Sequence, residues 1–275
     1  MMEKILSIEH LIELVASVKN LRKGFITNYY LDTFKHAIWI SNDDFRYVYI
    51  NETLFLIKES NNFCNLFYCS ASLDNLSTSI KLLEDKYPKL IKVIDVVGSK
   101  IQCKPIVETL MQIGYTQYQV LVRMSMTTQM GIHEIKNEHI SFATIEDAVD
   151  VHDLLLTYFD AKCEQIPYKE ELAELAKNNK IIVFKEDKEI ISFVIFNLTN
   201  ATNYLRYWFV HPNHRDKKIG SMMLNRFFYE GKNTKRQLLW VITNNDNAIK
   251  RYHHYGFQEE FFFDYTMLNN LNTNK

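Results

Sequence analysis

Apolar positions near the start of the chain recur at Ile8, Leu11, Ile12, Val15 and Val18, the spacing of one helix face, with Ser7 placed to cap it. An amphipathic helix is therefore expected over 7–21, and a second, less sharply patterned one near 30–38. Three short runs rich in β-branched and aromatic residues follow, "FRYVYI", "ETLFLIKES" and "NLFYCSA", separated by Asn, Asp and Glu, and predict three antiparallel strands. Beyond them "LDNLSTSIKLLEDKY" has helical periodicity, "KLIKVIDVV" reads as a buried strand, and "TQYQVLVRMSM" as another strand. Between these two strands, "PIVETLMQI" predicts a helix with Pro105 in its first turn and Gly114 at its end.

The second half repeats this series. "IEDAVDVHDLLLTYF" and "PYKEELAELAKNN" predict helices, "KIIVFKED" and "EIISFVIFNLT" a hairpin around Lys188, and "YLRYWFV" the next strand. A helix from Ile219, the strand "LLWVIT", the helix "NAIKRYHHY", Gly256 and the strand "FQEEFFFDYTML" complete it. The clearest register between the halves sets "MQIGYTQYQVLVRMSM" against "HHYGFQEEFFFDYTML", aligning Gly114 with Gly256. Glycines are common at helix ends, so coincidence is the plainer alternative. Duplication accounts for the order of all the elements, with domains over 1–128 and 138–275 divided in the stretch from Thr127 to His139. The expected class is mixed α+β.

Composition then narrows the function. A chain of 275 residues, 47% hydrophobic and 24% charged, can bury real cores. A net charge of −1 supplies no field toward nucleic acid or an anionic membrane, and the basic patches "HRDKK" and "GKNTKRQ" are short, so neither partner is expected. Cys64, Cys69, Cys103 and Cys163 have no CxxC spacing, no nearby His pairs and no signal peptide ahead of them. They read as reduced thiols of a cytoplasmic protein, with no metal site and no disulfide framework. The longest apolar runs, such as "IISFVIF", are far shorter than a membrane helix requires.

The chemistry concentrates in "YLRYWFVHPNHRDKKIGSMML". Pro212 takes the chain out of the sheet, and the basic turn feeds a helix whose Ile219, Met223 and Phe227 share a core face. A helix N-terminus offers unpaired N–H groups and partial positive charge, which suit phosphate. Arg215, Lys217 and Lys218 add formal charge there, and Gly220 would let a diphosphate approach the backbone. A solvated basic helix start is the plainer alternative.

"FVHPNHRDKKIG" together with "NNDNAIKRYHHYGF" resembles the two central motifs of the GNAT superfamily of acyl-CoA-dependent N-acyltransferases. In the first, the family's Gln or Arg, then Gly, then Gly or Ala fall on Arg215, Lys218 and Gly220. In the second, Asn245, Ala248, Tyr252, Gly256 and Phe257 match. The resemblance covers about 138–268 and implies a fold of two GNAT-like domains, each a mostly antiparallel, centrally splayed mixed sheet flanked by helices. It implies acetyl-CoA as cosubstrate, with the pantetheine arm along the fourth strand at Phe209 and Val210. The pyrophosphate would lie on Arg215, Asp216, Lys217, Lys218, Ile219, Gly220 and Ser221, with Asn245 and Ala248 completing the cofactor site. Tyr252 stands where the family places the acid that protonates the leaving thiolate; an aromatic packed at a helix end is the alternative. Lys218 departs from the pattern by replacing the loop's first glycine, so either its side chain swings out and adds a phosphate contact or cofactor affinity is impaired.

The family often carries a carboxylate base on the fourth strand. Strict alternation puts Tyr204, Arg206 and Trp208 on that face, and none is acidic. The amine's proton would leave through water, Tyr204, Asp160 or Glu164. Arg206 would bind the carboxylate of an amino-acid-like substrate or an internal helix carboxylate. The first half has "LDNLSTSI" where a phosphate loop would stand and Leu110 in the place of Tyr252, so it reads as a degenerate GNAT-like domain. The expected protein is a monomeric or homodimeric acetyl-CoA-dependent N-acetyltransferase of a small molecule, amino acid or peptide amine. A non-catalytic acyl-CoA-binding or interaction module is the alternative.

Overall fold

The computed structural model describes residues 2–21, 24–134 and 136–269. In chain order its elements are β1 (Glu3–Lys4), α1 (Ile8–Lys19), β2 (Ile26–Thr27), α2 (Thr33–Ser41), β3 (Phe45–Ile50), β4 (Thr53–Glu59), β5 (Cys64–Ser70), α3 (Leu73–Lys86), β6 (Lys92–Ser99), α4 (Lys100–Gln112) and β7 (Tyr115–Thr127). There follow β8 (Ile140–Phe142), α5 (Asp147–Tyr158), α6 (Lys169–Lys177), β9 (Ile181–Glu186), β10 (Glu189–Leu198), β11 (Thr202–Val210), a 3-10 helix (Pro212–Lys217), α7 (Ile219–Glu230), β12 (Arg236–Ile242), α8 (Asp246–His254) and β13 (Gln258–Asn269). The fold is mixed α/β.

The chain forms two compact units, one made of residues up to Leu121 with those from Phe262 onward, the other of Val122–Phe261. This division differs from the expected 1–128 and 138–275, because β7 enters the second unit at Val122 and β13 returns to the first at Phe262.

In the first unit the expected helices and the three antiparallel strands β3, β4 and β5 are present. Ser7, Asp32 and Ser72 cap α1, α2 and α3 through side-chain oxygens that accept backbone N–H groups. Helix α4 begins five residues before the expected start, because Ser99 and Gln102 form a capping box there, and Pro105 lies inside the helix. Phe55, Ile57, Leu66 and Tyr68 pack with Leu76, Ile80 and Leu83 of α3 and Leu110 of α4. Strands β5 and β6 pair in parallel only at Cys64↔Lys92 and Asn65↔Val93.

The second unit has the same series. Asp187 and Lys188 both take positive φ, the conformation of a tight two-residue hairpin turn between β9 and β10. Leu155 of α5 and Leu172 of α6 pack against Val183, Phe193, Tyr207 and Phe209. Gly114 and Gly256 close α4 and α8 with φ of +104 and +99, so the aligned glycines of the two halves do the same work. No helix among the described residues is long and apolar enough to cross a membrane. All four cysteines are free and buried.

Candidate active site

Strands β11 and β12 run parallel and pair only from Thr202↔Arg236 to Leu205↔Leu239. Beyond Leu205 they part, and the sheet opens along one edge of β11. On its other edge β11 pairs with β10, with Ser192↔Val210 through Ile195↔Tyr207, but the next pair is Phe196↔Leu205. Arg206 is the extra residue of a β-bulge. The bulge reverses the alternation assumed from the sequence. Asn203 lies against the end of α7, donating to Phe227 O at 2.9 Å, and Trp208 lies against its beginning, beside Gly220. Five residues apart, they share a face. Tyr204 is thus on the opposite face from Trp208, toward α5 and α6 with Tyr207, and the expected alignment of Tyr204, Arg206 and Trp208 is corrected.

His211 N–H donates to Ile191 O, so the backbone groups of Phe209 turn toward β10, where its carbonyl also accepts from Ser192 Oγ. Its ring is in the α5/α6 cluster. Phe209 therefore does not face the opening; Trp208 and Val210 direct their backbone groups there instead. The indole Nε1 of Trp208 is buried with no hydrogen-bond partner among the described residues. An orphaned donor beside an unpaired strand edge is what a bound polar chain would satisfy.

This edge leads to the basic turn. Lys218 takes φ +60, a left-handed conformation that a glycine would adopt freely, and stands at the N-cap position of α7 with no side-chain cap hydrogen bond. The Lys218 side chain is exposed. The leading N–H groups of α7, at Ile219 and Gly220, have no carbonyl one turn back within the helix, while those of Ser221 and Met222 close on Lys218 O. Arg215 Nε donates to Val210 O at 3.4 Å, and Lys217 pairs with Glu186 at 3.4 Å. Ile219 is buried, so only its backbone faces the turn. The Asp216 side chain lies outside the described residues. Asn245 caps α8, its Oδ1 accepting Ala248 N–H at 3.2 Å.

Tyr252 projects from α8 with its ring 5.9 Å from Trp208 and 5.8 Å from Phe257. Its hydroxyl has no hydrogen bond among the described residues, and burial holds its pKa well above that of a free tyrosine, so it stays protonated at neutral pH.

Across from α8, the loop between α5 and α6 carries Asp160 and Glu164. Tyr207 Oη donates to Gln165 O at 2.8 Å and fastens this loop to β11. Burial, then the Asp160 charge, push the Glu164 carboxyl up to about 7, against a partial offset from the Asp160 backbone. No cation pairs with Glu164 among the described residues. Asp160 is turned into its own loop, its carboxylate accepting Lys162 N–H at 3.0 Å. The Arg206 guanidinium lies 5.7 Å from the Tyr207 ring centroid and makes no ion pair or hydrogen bond among the described residues. The internal helix carboxylate considered for it is not found.

The structure thus brings Trp208, Val210, the start of α7 and Tyr252 along one opening, with Glu164 and Arg206 by Tyr207. Sequence reasoning placed Trp208 on the strand face beside the site but gave it no role there. It also missed Tyr255, whose hydroxyl donates to Ser221 Oγ at 2.9 Å and ties α8 to α7. Gly220 has a role that was not foreseen: a Cβ there would come within 2.9 Å of Trp208 Cζ2. In the first unit the corresponding opening between β5 and β6 is filled by that unit's own chain, with β2 pairing on β5 and Asn28 reaching across.

Residues 148–257, within the second unit, match the model of the acetyltransferase (GNAT) family. A Drosophila protein of solved structure is similar over 99% of both chains, with 15% identity and a TM-score of 0.58. An acetyltransferase of the GNAT family from Colwellia psychrerythraea is similar over 98% of both chains, with 12% identity and a TM-score of 0.55. A tandem GNAT protein from the clavulanic acid biosynthesis pathway is similar over 81% of this chain and 80% of its own, with 11% identity and a TM-score of 0.54. At these identities the likeness is one of fold. A search of curated proteins finds no significant match.

Proposed function

We propose that the protein is an acetyl-CoA-dependent N-acetyltransferase that transfers the acetyl group to the amine of a small molecule, amino acid or peptide by direct attack on the thioester. The observation that carries this reading is the unpaired edge of β11 running from Arg206 to the start of α7, which has no side-chain cap, with the Tyr252 hydroxyl unengaged beside it. The backbone groups of Trp208 and Val210 are available to the pantetheine amides, and the Trp208 indole N–H to a further acceptor. The N–H groups of Ile219 and Gly220, with Arg215, Lys217 and Lys218, provide for the pyrophosphate. A backbone N–H of the opened edge would meet the developing oxyanion, and Tyr252 would protonate the departing thiolate.

Calorimetric titration with acetyl-CoA and with CoA tests the reading. Micromolar binding is expected for the native chain, and its loss when Arg215→Ala and Lys217→Ala are combined. Absence of binding at millimolar cofactor would overturn it. Thiol release in the presence of an amine then separates a transferase from a module that binds without turnover.

A further inference from the structure

One hydrogen bond, from Tyr207 Oη to Gln165 O at 2.8 Å, joins β11 to the loop between α5 and α6. The residue next to each partner is charged: Arg206 precedes Tyr207 and Glu164 precedes Gln165. These two opposite charges flank the same contact, yet they form no ion pair with each other, and neither is paired with another charged side chain among the described residues. Arg206 is displaced from the regular strand by the bulge and is half-buried, its guanidinium turned to the Tyr207 ring. A half-buried guanidinium without an anion costs stability, as does a half-buried carboxylate without a cation. Bulges recur where a strand must aim a side chain at a ligand. Both charges are answered at once by a ligand that carries an anion and a cation.

We propose that the acceptor is a zwitterion, an amino acid or a molecule with the same amine-and-carboxylate head, whose carboxylate is bound by Arg206 and whose ammonium gives its proton to Glu164. The inference rests on the transferase reading above. Glu164 takes the first proton, leaving a neutral amine. The amine nitrogen forms the new bond to the thioester carbonyl carbon as the carbon–sulfur bond breaks. Tyr252 gives its hydroxyl proton to the sulfur, and the second proton shed by the nitrogen returns to Tyr252. The proton held by Glu164 passes to solvent, so the balance is one amide, one thiol and one proton released. The Asp160 charge in the same loop acts on the Glu164 carboxyl, the charges of Arg206 and Glu164 both reach the Tyr207 hydroxyl, and those of Arg251 and Glu164 reach Tyr252. With its carboxyl near 7, Glu164 is matched to accept a proton at neutral pH and return it.

The test measures thiol release from acetyl-CoA with the common L-amino acids, each beside its α-amide and its decarboxylated amine. For an accepted amino acid, kcat/KM is expected to exceed that of its amide and amine by about tenfold or more. Arg206→Gln should erase that preference by raising KM for the free acid, with kcat little changed. Glu164→Gln should lower kcat by about a hundredfold and remove the rise of kcat with pH through the value near 7. Both variants should bind acetyl-CoA as the native chain does, which excludes misfolding as the cause. Amides or amines that serve as well as free acids, an equal KM rise for all three, or no thiol release from any member while acetyl-CoA binds, would each overturn the assignment. A loss on Arg206→Gln confined to succinyl-CoA would also overturn it, placing the anion on the acyl donor. Failure of the native chain to bind acetyl-CoA would strike the transferase reading itself.

Discussion

Asn28 accepts the backbone N–H of Tyr68 on its side-chain oxygen at 2.7 Å, and its Nδ2 donates to Leu66 O at 3.2 Å and Asp95 O at 2.9 Å. One side chain thereby satisfies both strands where β5 and β6 part, and Ile26↔Ser70 and Thr27↔Cys69 extend the filling along β5. The strand edge that is open in the second unit is closed in the first by groups of its own chain. An intramolecular group holds such an edge without the entropy cost of binding from solution.

Acetyl-CoA is therefore expected to bind with a stoichiometry of one per chain. Calorimetry at saturating cofactor reads this directly. A stoichiometry of two would show that β2 and Asn28 are displaced and that the first unit is a second cofactor site.

Tyr252→Phe removes a hydroxyl that makes no hydrogen bond among the described residues and leaves the ring between Trp208 and Phe257. Folding and acetyl-CoA affinity should be unchanged, while kcat falls by about 10²–10⁴. Single-turnover thiol release with an accepted amine measures this. A kcat within a factor of about two of the native value would move the acid role elsewhere.

Much of this was legible in the sequence, and the losses have specific causes. The order of helices and strands followed from apolar periodicity, and Gly256 and Tyr252 stood where the motif placed them. The bulge at Arg206 was not legible, because apart from Arg206 itself "YLRYWFV" is apolar or aromatic on both faces, and only the pairing with β10 shows which residue is extra. Strand β2 is two residues long, too short for any period, and its partner Asn28 resembles an ordinary loop residue. Pro105 suggested a helix start because proline is favoured in the first turn, but the capping box of Ser99 and Gln102 determined the start instead. The strand exchange at Leu121 and Phe262 depends on contacts distant in sequence, about which a local pattern is silent.

Gly220→Ala is expected to cost about 1–3 kcal/mol, the range for overpacking, because its Cβ would meet Trp208 Cζ2 at 2.9 Å and Val210 Cγ2 at 3.5 Å. The indole has little room to withdraw, with the Tyr252 ring 5.9 Å away and the Arg251 guanidinium 5.7 Å from its own ring. Urea denaturation of Gly220→Ala, Trp208→Ala and the pair forms a double-mutant cycle. The glycine substitution should become nearly neutral once the indole is gone; additive losses would show that its cost does not come from the indole.

Glu164→Gln should change stability in a pH-dependent way whose sign follows from burial. The folded carboxyl titrates near 7 against a reference of 4.5, so between these values the folded chain holds a proton that the unfolded chain has released. The acid's favourable share is complete below the unfolded value and is lost as pH rises through the folded one. At pH 4, below the unfolded value, the glutamate and glutamine chains should unfold at similar urea concentrations. By pH 8 the glutamine chain should be the more stable, by at most about 3 kcal/mol, since it never carries a buried charge. The partial exposure of Glu164 and the solvent reaching it reduce that figure. A glutamine variant less stable at pH 8 than the native chain would mean that Glu164 has a cationic partner in solution, and the charge would then be unavailable to a substrate amine.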